Sequence, residues 1–156
     1  MLATKTTSVR TPKQLRIANA VFFFLSGFGY ASWASRIPTI QHQLHLNEAQ
    51  LGGILFAMPI GLLLTLPVTG QLLSKFSSRR IMFFGGLFFC VVLACIGFAV
   101  NVWQLVLALF CFGVSRNLFN ISTNAQAVAV QALYDKSIMA NFHGIWSLAG
   151  FAGAAV

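Results

Sequence analysis

The chain has 156 residues, of which 58% are hydrophobic and only 8% are charged. So few charged side chains do not solvate the surface of a water-soluble domain of this length. The formal net charge is +8, but the basic residues fall in separate segments and form no single stripe, which argues against a nucleic acid as partner.

Five apolar runs follow one another along the chain, which also excludes a lone signal peptide as the source of the hydrophobicity. A hydrocarbon core of about 30 Å requires about 20 helical residues to cross it. We predict five spans, at about 15–35, 48–73, 80–100, 102–132 and 142–156. Residues 1–14, rich in Thr, Ser and Lys, are predicted to form a cytoplasmic tail. The predicted fold class is all-α, a bundle of transmembrane helices.

The fifth run reaches Val156 without a polar residue to anchor its far end. A helix that stopped there would leave its last carbonyl groups unpaired in hydrocarbon. We therefore expect four complete spans and a truncated fifth, with a missing C-terminal half. A complete small protein with an odd final helix is the alternative.

Local signals mark the second span. Asn47 is a favourable N-cap, and Gln50 stands where it completes a capping box. Pro59 and Pro67 remove two hydrogen bonds within the run. We expect this helix to begin at Asn47 and to follow a bent course.

Basic residues collect on one predicted side of the membrane. Outside the spans, the opposite side carries only Arg36. Since cytoplasmic loops carry an excess of Lys and Arg, the N-terminus and the second and fourth loops are predicted to be cytoplasmic. The residues on that side are Lys5, Arg10, Lys13, Arg16, Lys75, Arg79, Arg80 and Lys136.

Span four carries amides at one helical face. Asn117, Asn120, Asn124 and Gln131 follow at i, i+3, i+7 and i+14. Amides are costly in hydrocarbon unless they are paired, so this stripe is predicted to face other helices or water. A pathway for a neutral or hydroxylated solute is one interpretation, and hydrogen bonding between helices is the other.

Ionisable side chains are scarce within the spans. Arg116 favours an anionic partner, although a side chain that reaches a water-filled cleft explains it equally well. His143 begins span five and is the one embedded group here suited to carry a proton near neutral pH. The chain's two carboxylates, Glu48 and Asp135, lie at predicted helix ends. This scarcity argues against an acid–base enzyme, and the three cysteines have no metal-ligand spacing, so no cofactor or metal is predicted.

The segment 70–80 resembles the cytoplasmic loop signature of the major facilitator superfamily, Gly-x-Leu-x-Asp-Arg/Lys-x-Gly-Arg-Arg/Lys. The matching residues are Gly70, Leu72, Lys75 and Arg79, and the departures are Ser74, Ser77 and Ser78. In that family the acidic residue belongs to a charge network that locks the cytoplasmic gate. Its replacement by Ser74 puts that latch in question.

Further stretches, 31–38, 124–126 and 142–147, resemble a bacterial branch related to fucose-type permeases and rhizopine-type transport proteins. The resemblance implies twelve helices in two halves, and a multi-pass location in the bacterial inner membrane. The positions of coupling and binding carboxylates in fucose-type permeases correspond here to Ala34 and Asn120. Coupling through those acids therefore does not carry over.

The predicted function is secondary transport of a small polar solute, sugar-like or another polar metabolite, by alternating access in the lipid bilayer, with a proton as candidate coupling ion. The alternatives are a non-transporting membrane subunit or truncated relic, and a small self-assembling exporter or channel. The candidate pathway residues are Trp33, Arg36, Asn117, Asn120, Asn124, His143 and Trp146. The candidate cytoplasmic gate residues are Gly70, Lys75, Arg79 and Arg80.

Overall fold

The computed structural model describes residues 10–156, and every regular element in this part of the chain is a helix. The predicted all-α fold class is confirmed. The helices are α1 (Pro12–Ser35), α2 (Ile37–Gln43), α3 (Glu48–Leu55), α4 (Ala57–Lys75), α5 (Ser78–Gly97), α6 (Val102–Gln131) and α7 (Met139–Ala154). Most of the predicted tail, including Lys5, lies outside the described residues.

Four stretches of the described chain are long and apolar enough to cross a membrane. The first combines α1 with α2, and the second combines α3 with α4, whereas α5 and α6 are spans by themselves. The stretches are Pro12–Gln43, Glu48–Lys75, Ser78–Gly97 and Val102–Gln131. The fifth apolar run forms α7, a helix of 16 residues.

The predicted capping box at Asn47 is confirmed. The backbone N–H of Gln50 donates to Oδ1 of Asn47 at 2.8 Å, and the backbone N–H of Asn47 donates to Oε1 of Gln50 at 3.0 Å. Thr11 and Gln14 form the same arrangement at the start of α1. These bonds satisfy N–H groups that the first turn of a helix otherwise leaves unpaired.

The second span is interrupted at Phe56, between α3 and α4. Pro59 has no N–H to donate to the carbonyl of Leu55, and its ring crowds that carbonyl. The hydrogen-bond ladder is therefore broken within one turn of Pro59. Pro67 lies inside α4 without ending it.

Helix α6 occupies the centre of the bundle, where it packs against α1, α3, α4, α5 and α7. The side chains of Leu109 and Phe112 are fully buried. Phe89 of α5 stacks on Phe112, with ring centroids 5.1 Å apart. The core of the bundle thus forms around the middle of α6.

Two glycines bring the backbones of α4 and α6 into direct contact. A Cβ at Gly61 would overlap the carbonyl oxygen of Phe110, and a Cβ at Gly113 would overlap that of Met58. Small residues allow such close approach between membrane helices, where van der Waals packing replaces the hydrophobic effect as the driving force. The contact fixes how α4 lies on α6.

The same device joins α1 and α7. A Cβ at Gly27 would overlap the carbonyl oxygen of Trp146, and a Cβ at Gly153 would overlap that of Phe28. Ser32 adds a hydrogen bond from its hydroxyl to the Gly153 carbonyl at 3.2 Å. The numbers of the contacting residues increase together in both helices, so α1 and α7 run parallel.

Replacement of Gly113 by alanine is expected to destabilise the intact protein by about 1–3 kcal/mol, because the added methyl group overpacks a backbone contact. Gly53→Ala is the matched control, since nothing lies within 4 Å of a Cβ there. That variant is expected to be neutral, or more stable by up to about 1 kcal/mol. Unfolding in detergent, followed by tryptophan fluorescence, measures both. Equal stability of the two variants would contradict the packing role of Gly113.

Candidate functional site

Two contacts fix the direction in which the polar face of α6 points. On one side, the guanidinium of Arg116 lies over the ring of Tyr30 in α1, 4.3 Å from its centroid. On the other side, Nδ2 of Asn117 donates to Oγ1 of Thr69 in α4 at 3.0 Å. Asn120 lies four residues after Arg116 and three after Asn117, so helix geometry places it between these contacts.

The side chain of Asn120 is exposed. Because Asn120 stands between the α1 contact and the α4 contact, its side chain points to the surface between those two helices, which we call the groove. Asn124 follows one turn later and is half-buried. Its Nδ2 donates to the Asn120 carbonyl oxygen at 2.9 Å and lies 3.4 Å from Oδ1 of Asn120. The two amides form a connected pair, which we call the amide pair.

Arg116 makes the groove electrostatically positive. It is half-buried, and a cation over an aromatic ring gains electrostatic attraction from the ring quadrupole. The only carboxylate side chains of the chain are Glu48, at the first residue of the second span, and Asp135, between α6 and α7, and both are exposed. Arg116 therefore has no acidic neighbour within a span of the described chain. An oxygen-rich or anionic group fits this position.

Two of the predicted pathway residues lie in the core instead of the groove. Trp33 is 5% exposed, and its ring meets Phe112 edge-on at 6.2 Å. Asn117 is 4% exposed and is held by Thr69, whose hydroxyl in turn donates to the Thr65 carbonyl at 2.9 Å. Both side chains join helices to each other in this structure.

Gln131, the last member of the predicted stripe, holds the turn between α6 and α7. Its Nε2 donates to the Lys136 carbonyl oxygen at 3.0 Å, and its Oε1 accepts from the backbone N–H of Ile138 at 2.6 Å. The amide thus takes the place of a backbone partner in the turn. It does not extend the groove.

The remaining pathway candidates lie along the contact between α1 and α7. Arg36 is exposed, and its Nη2 donates to the Val156 carbonyl oxygen at 3.1 Å. His143 is also exposed, with its ring 5.4 Å from that of Phe23 in an edge-on geometry. Trp146 is half-buried, and its backbone meets Gly27. These three residues therefore lie at the contact of α1 with α7, whereas the amide pair lies on α6.

The four gate candidates lie close together at one end of the bundle. Gly70 and Lys75 belong to the last turns of α4, and Arg79 and Arg80 belong to the first turn of α5. All four are exposed. The segment is a helix end, a two-residue link and a helix start, so these residues stand on ordered turns and not on a long loop.

Tyr30 and Thr69 contact the polar face of α6, but the sequence pattern of amides and charged residues does not predict them as site residues. Thr65 and Thr69 stand four residues apart, which places two hydroxyls on one face of α4. That spacing was a usable signal for a polar contact. Tyr30 gave none, because an aromatic residue inside an apolar span does not differ from the other aromatic residues of this chain.

A bundle of apolar spans that gathers amide and guanidinium groups in a groove is typical of membrane proteins that handle polar solutes. The model of the Major Facilitator Superfamily matches residues 19–156. The chain belongs to this superfamily, and the resemblance drawn from the 70–80 segment is confirmed.

Three curated bacterial proteins are similar to this chain. An uncharacterized MFS-type transporter of Yersinia pestis is 31% identical over 139 residues, which cover 89% of this chain and 36% of the relative. An uncharacterized transporter of Sinorhizobium fredii is 31% identical over 136 residues, covering 87% and 36%. Membrane protein MosC of Rhizobium meliloti is 32% identical over 142 residues, covering 90% and 35%. The chain spans about a third of the length of these relatives, and no solved structure matches it.

Proposed function

We propose that the protein is a secondary transporter that moves a small polar solute by alternating access, and that this chain forms the first helices of its N-terminal half. The observation that carries the proposal is the exposed Asn120 in the groove between α1 and α4, connected to Asn124 and adjacent to Arg116. Superfamily membership and relatives named as transporters support it. These relatives also favour a transporter over an enzyme.

The chemistry of the groove favours a hydroxylated solute, such as a sugar or another polar metabolite. The amide pair offers both donors and acceptors, and Arg116 offers donors only. Hydroxyl groups match both, and an anionic group on the solute would match Arg116. In this proposal Trp33 and Asn117 hold the helices that shape the groove. Arg36, His143 and Trp146 act at the contact of α1 with α7, where helices that move during alternating access would slide.

The gate candidates Gly70, Lys75, Arg79 and Arg80 are proposed to meet a partner from the C-terminal half on the cytoplasmic side. Their exposure supports this role. Ser74, which replaces the acidic residue of the family signature, donates its hydroxyl to the Gln71 carbonyl at 2.8 Å and so stays within its own helix. A gate built on this segment would therefore depend on the basic residues.

The N-terminus is proposed to lie in the cytoplasm, with the protein in the bacterial inner membrane. Basic residues cluster at the end of the bundle formed by the start of α1 and the α4–α5 link. The bacterial sources of the relatives support the location.

Single-cysteine labelling tests this orientation. In a cysteine-free background of the intact protein, Gln43→Cys is expected to react with a membrane-impermeant maleimide on whole cells, and Ser77→Cys is expected to react only after permeabilisation. Both positions are exposed, Gln43 at the end of α2 and Ser77 between α4 and α5. Labelling of Ser77→Cys alone on whole cells would reverse the orientation.

Asn120→Leu tests the groove. A panel of radiolabelled sugars, polyols and sugar acids is first screened for uptake into vesicles that contain the intact protein. For the solute that is taken up, Asn120→Leu is expected to reduce uptake by about tenfold or more, because loss of a hydrogen bond inside a binding site costs about 1–3 kcal/mol. Membrane insertion is expected to stay unchanged.

Leu107→Ala is the matched control on the same helix, since Leu107 is 64% exposed on the apolar side of α6. Uptake by this variant is expected to equal that of the parent. Unchanged uptake by Asn120→Leu, combined with a lower yield of folded protein, would assign the amide a structural role in packing the helices.

His143 is proposed to carry a coupling proton, because imidazole changes charge near neutral pH and no carboxylate of this chain lies deep within a span. Uptake by the parent is then expected to vary with pH around neutrality, and His143→Gln is expected to flatten the curve while solute binding persists. His42→Gln, at an exposed position of α2, is the control and is expected to keep the parent curve. Superimposable curves for the parent and His143→Gln would exclude His143 as the carrier.

A further inference from the structure

A separate cavity, lined by both basic and apolar side chains, lies at the basic end of the bundle, away from the groove. It has a volume of about 270 Å³ and lies between the starts of α1 and α5 and the last turns of α6. Its lining includes Arg10, Asn19, Arg79, Phe83 and Gln126. None of the residues assigned to the amide pair contributes to it.

Asn19 is the unusual member of this lining. It is 2% exposed, and neither Oδ1 nor Nδ2 has a hydrogen-bond partner among residues 10–156. A buried amide without a partner costs about 1–3 kcal/mol, so native structures almost always pair such groups. A group that enters the cavity and both accepts and donates a hydrogen bond would satisfy this amide.

The charge of the cavity selects an anion. Arg10 and Arg79 contribute two guanidinium groups, and no carboxylate is among the lining residues. The first turn of α5 begins at Ser78 beside the cavity, and the start of a helix adds partial positive charge. Gln126 is held in place because its Nε2 donates to the Ser78 hydroxyl at 2.7 Å.

The surface next to the cavity is apolar and open. Phe83 lines the cavity and is 57% exposed, and Phe84 is 64% exposed. Leu87 and Val91 continue this exposed face along α5 at helical spacing. A second depression of about 450 Å³ shares Arg79 and Phe83 with the first. Cationic groups thus stand directly above an apolar helix face, as the head group and the acyl chains of one lipid require.

We infer that the starts of α1 and α5 and the last turns of α6 form a binding site for the head group of an anionic glycerophospholipid. The phosphate lies between Arg10 and Arg79, and the acyl chains follow the exposed phenylalanines of α5. The arrangement fits a bound lipid better than a free phosphate, because a free anion leaves the apolar face without an occupant.

Asn19 selects among lipid head groups. Its Nδ2 donates to a phosphate or hydroxyl oxygen, and its Oδ1 requires a donor. The glycerol head group of phosphatidylglycerol supplies hydroxyl donors without positive charge. The ammonium of phosphatidylethanolamine would lie beside two guanidinium groups, which repel it. The site is therefore expected to prefer phosphatidylglycerol to phosphatidylethanolamine.

Lipid titration of the intact protein in detergent tests the site, with phosphatidylglycerol, phosphatidylethanolamine, phosphatidylcholine, inorganic phosphate and glycerol 3-phosphate as probes. Phosphatidylglycerol is expected to raise the unfolding temperature more than every other probe. Arg10→Gln and Asn19→Leu are expected to weaken its apparent affinity about tenfold. Arg10 is at the surface, so its variant folds even if the Asn19 variant does not.

Lys136→Gln is the control for general charge attraction, because Lys136 is exposed on the same side of the membrane and outside the cavity. Its affinity for phosphatidylglycerol is expected to change less than twofold. Three results would each overturn the proposal: equal stabilisation by phosphatidylcholine, equal stabilisation by glycerol 3-phosphate or phosphate, and equal weakening by Lys136→Gln. Failure of solute uptake would not bear on it, since binding is measured without transport.

Discussion

The close backbone contact between α4 and α6 determines the rest of the site. Gly61 and Gly113 allow the two helices to touch, and this contact brings Thr69 within hydrogen-bond distance of Asn117. That bond holds α6 at one rotation about its axis, so Asn120, one turn later, points into open space between α1 and α4. The exposure of Asn120 between α1 and α4 thus depends on two glycines that lie several residues away.

Close backbone contact at a pair of glycines occurs twice in the bundle. Gly27 of α1 meets the backbone of α7, and Gly113 of α6 meets the backbone of the second span near Met58. Both pairs are reciprocal, since each helix contributes a glycine and a carbonyl. Inverted structural repeats are a feature of many transporter folds. In this bundle the two pairs of helices pack in the same way, and in each pair the two backbones are in direct contact.

The number and order of the spans were accessible from the sequence because they depend on composition along the chain. Asn47 could be predicted as a helix start for a related reason, since a capping box is a local pattern. The roles of the amides could not be predicted. Asn117 and Asn120 differ by 60° around the helix axis, and only the position of α4 decides which one is buried. The role of Asn19 could not be predicted from the sequence, because it depends on the cavity that Asn19 shares with Arg79 and Gln126, which are distant in the chain.

The pairing of α1 with α7 has a consequence for synthesis in the cell. Helix α1 makes its most extensive contact with α7, which begins about a hundred residues later in the chain. At about 5–20 residues per second, α1 waits roughly 5–20 s after leaving the ribosome before its main partner exists. During that interval Gly27 and Ser32 have no helix against them. Until α7 has been made, this surface of α1 stays open to lipid, so α1 reaches its final packing only late in synthesis.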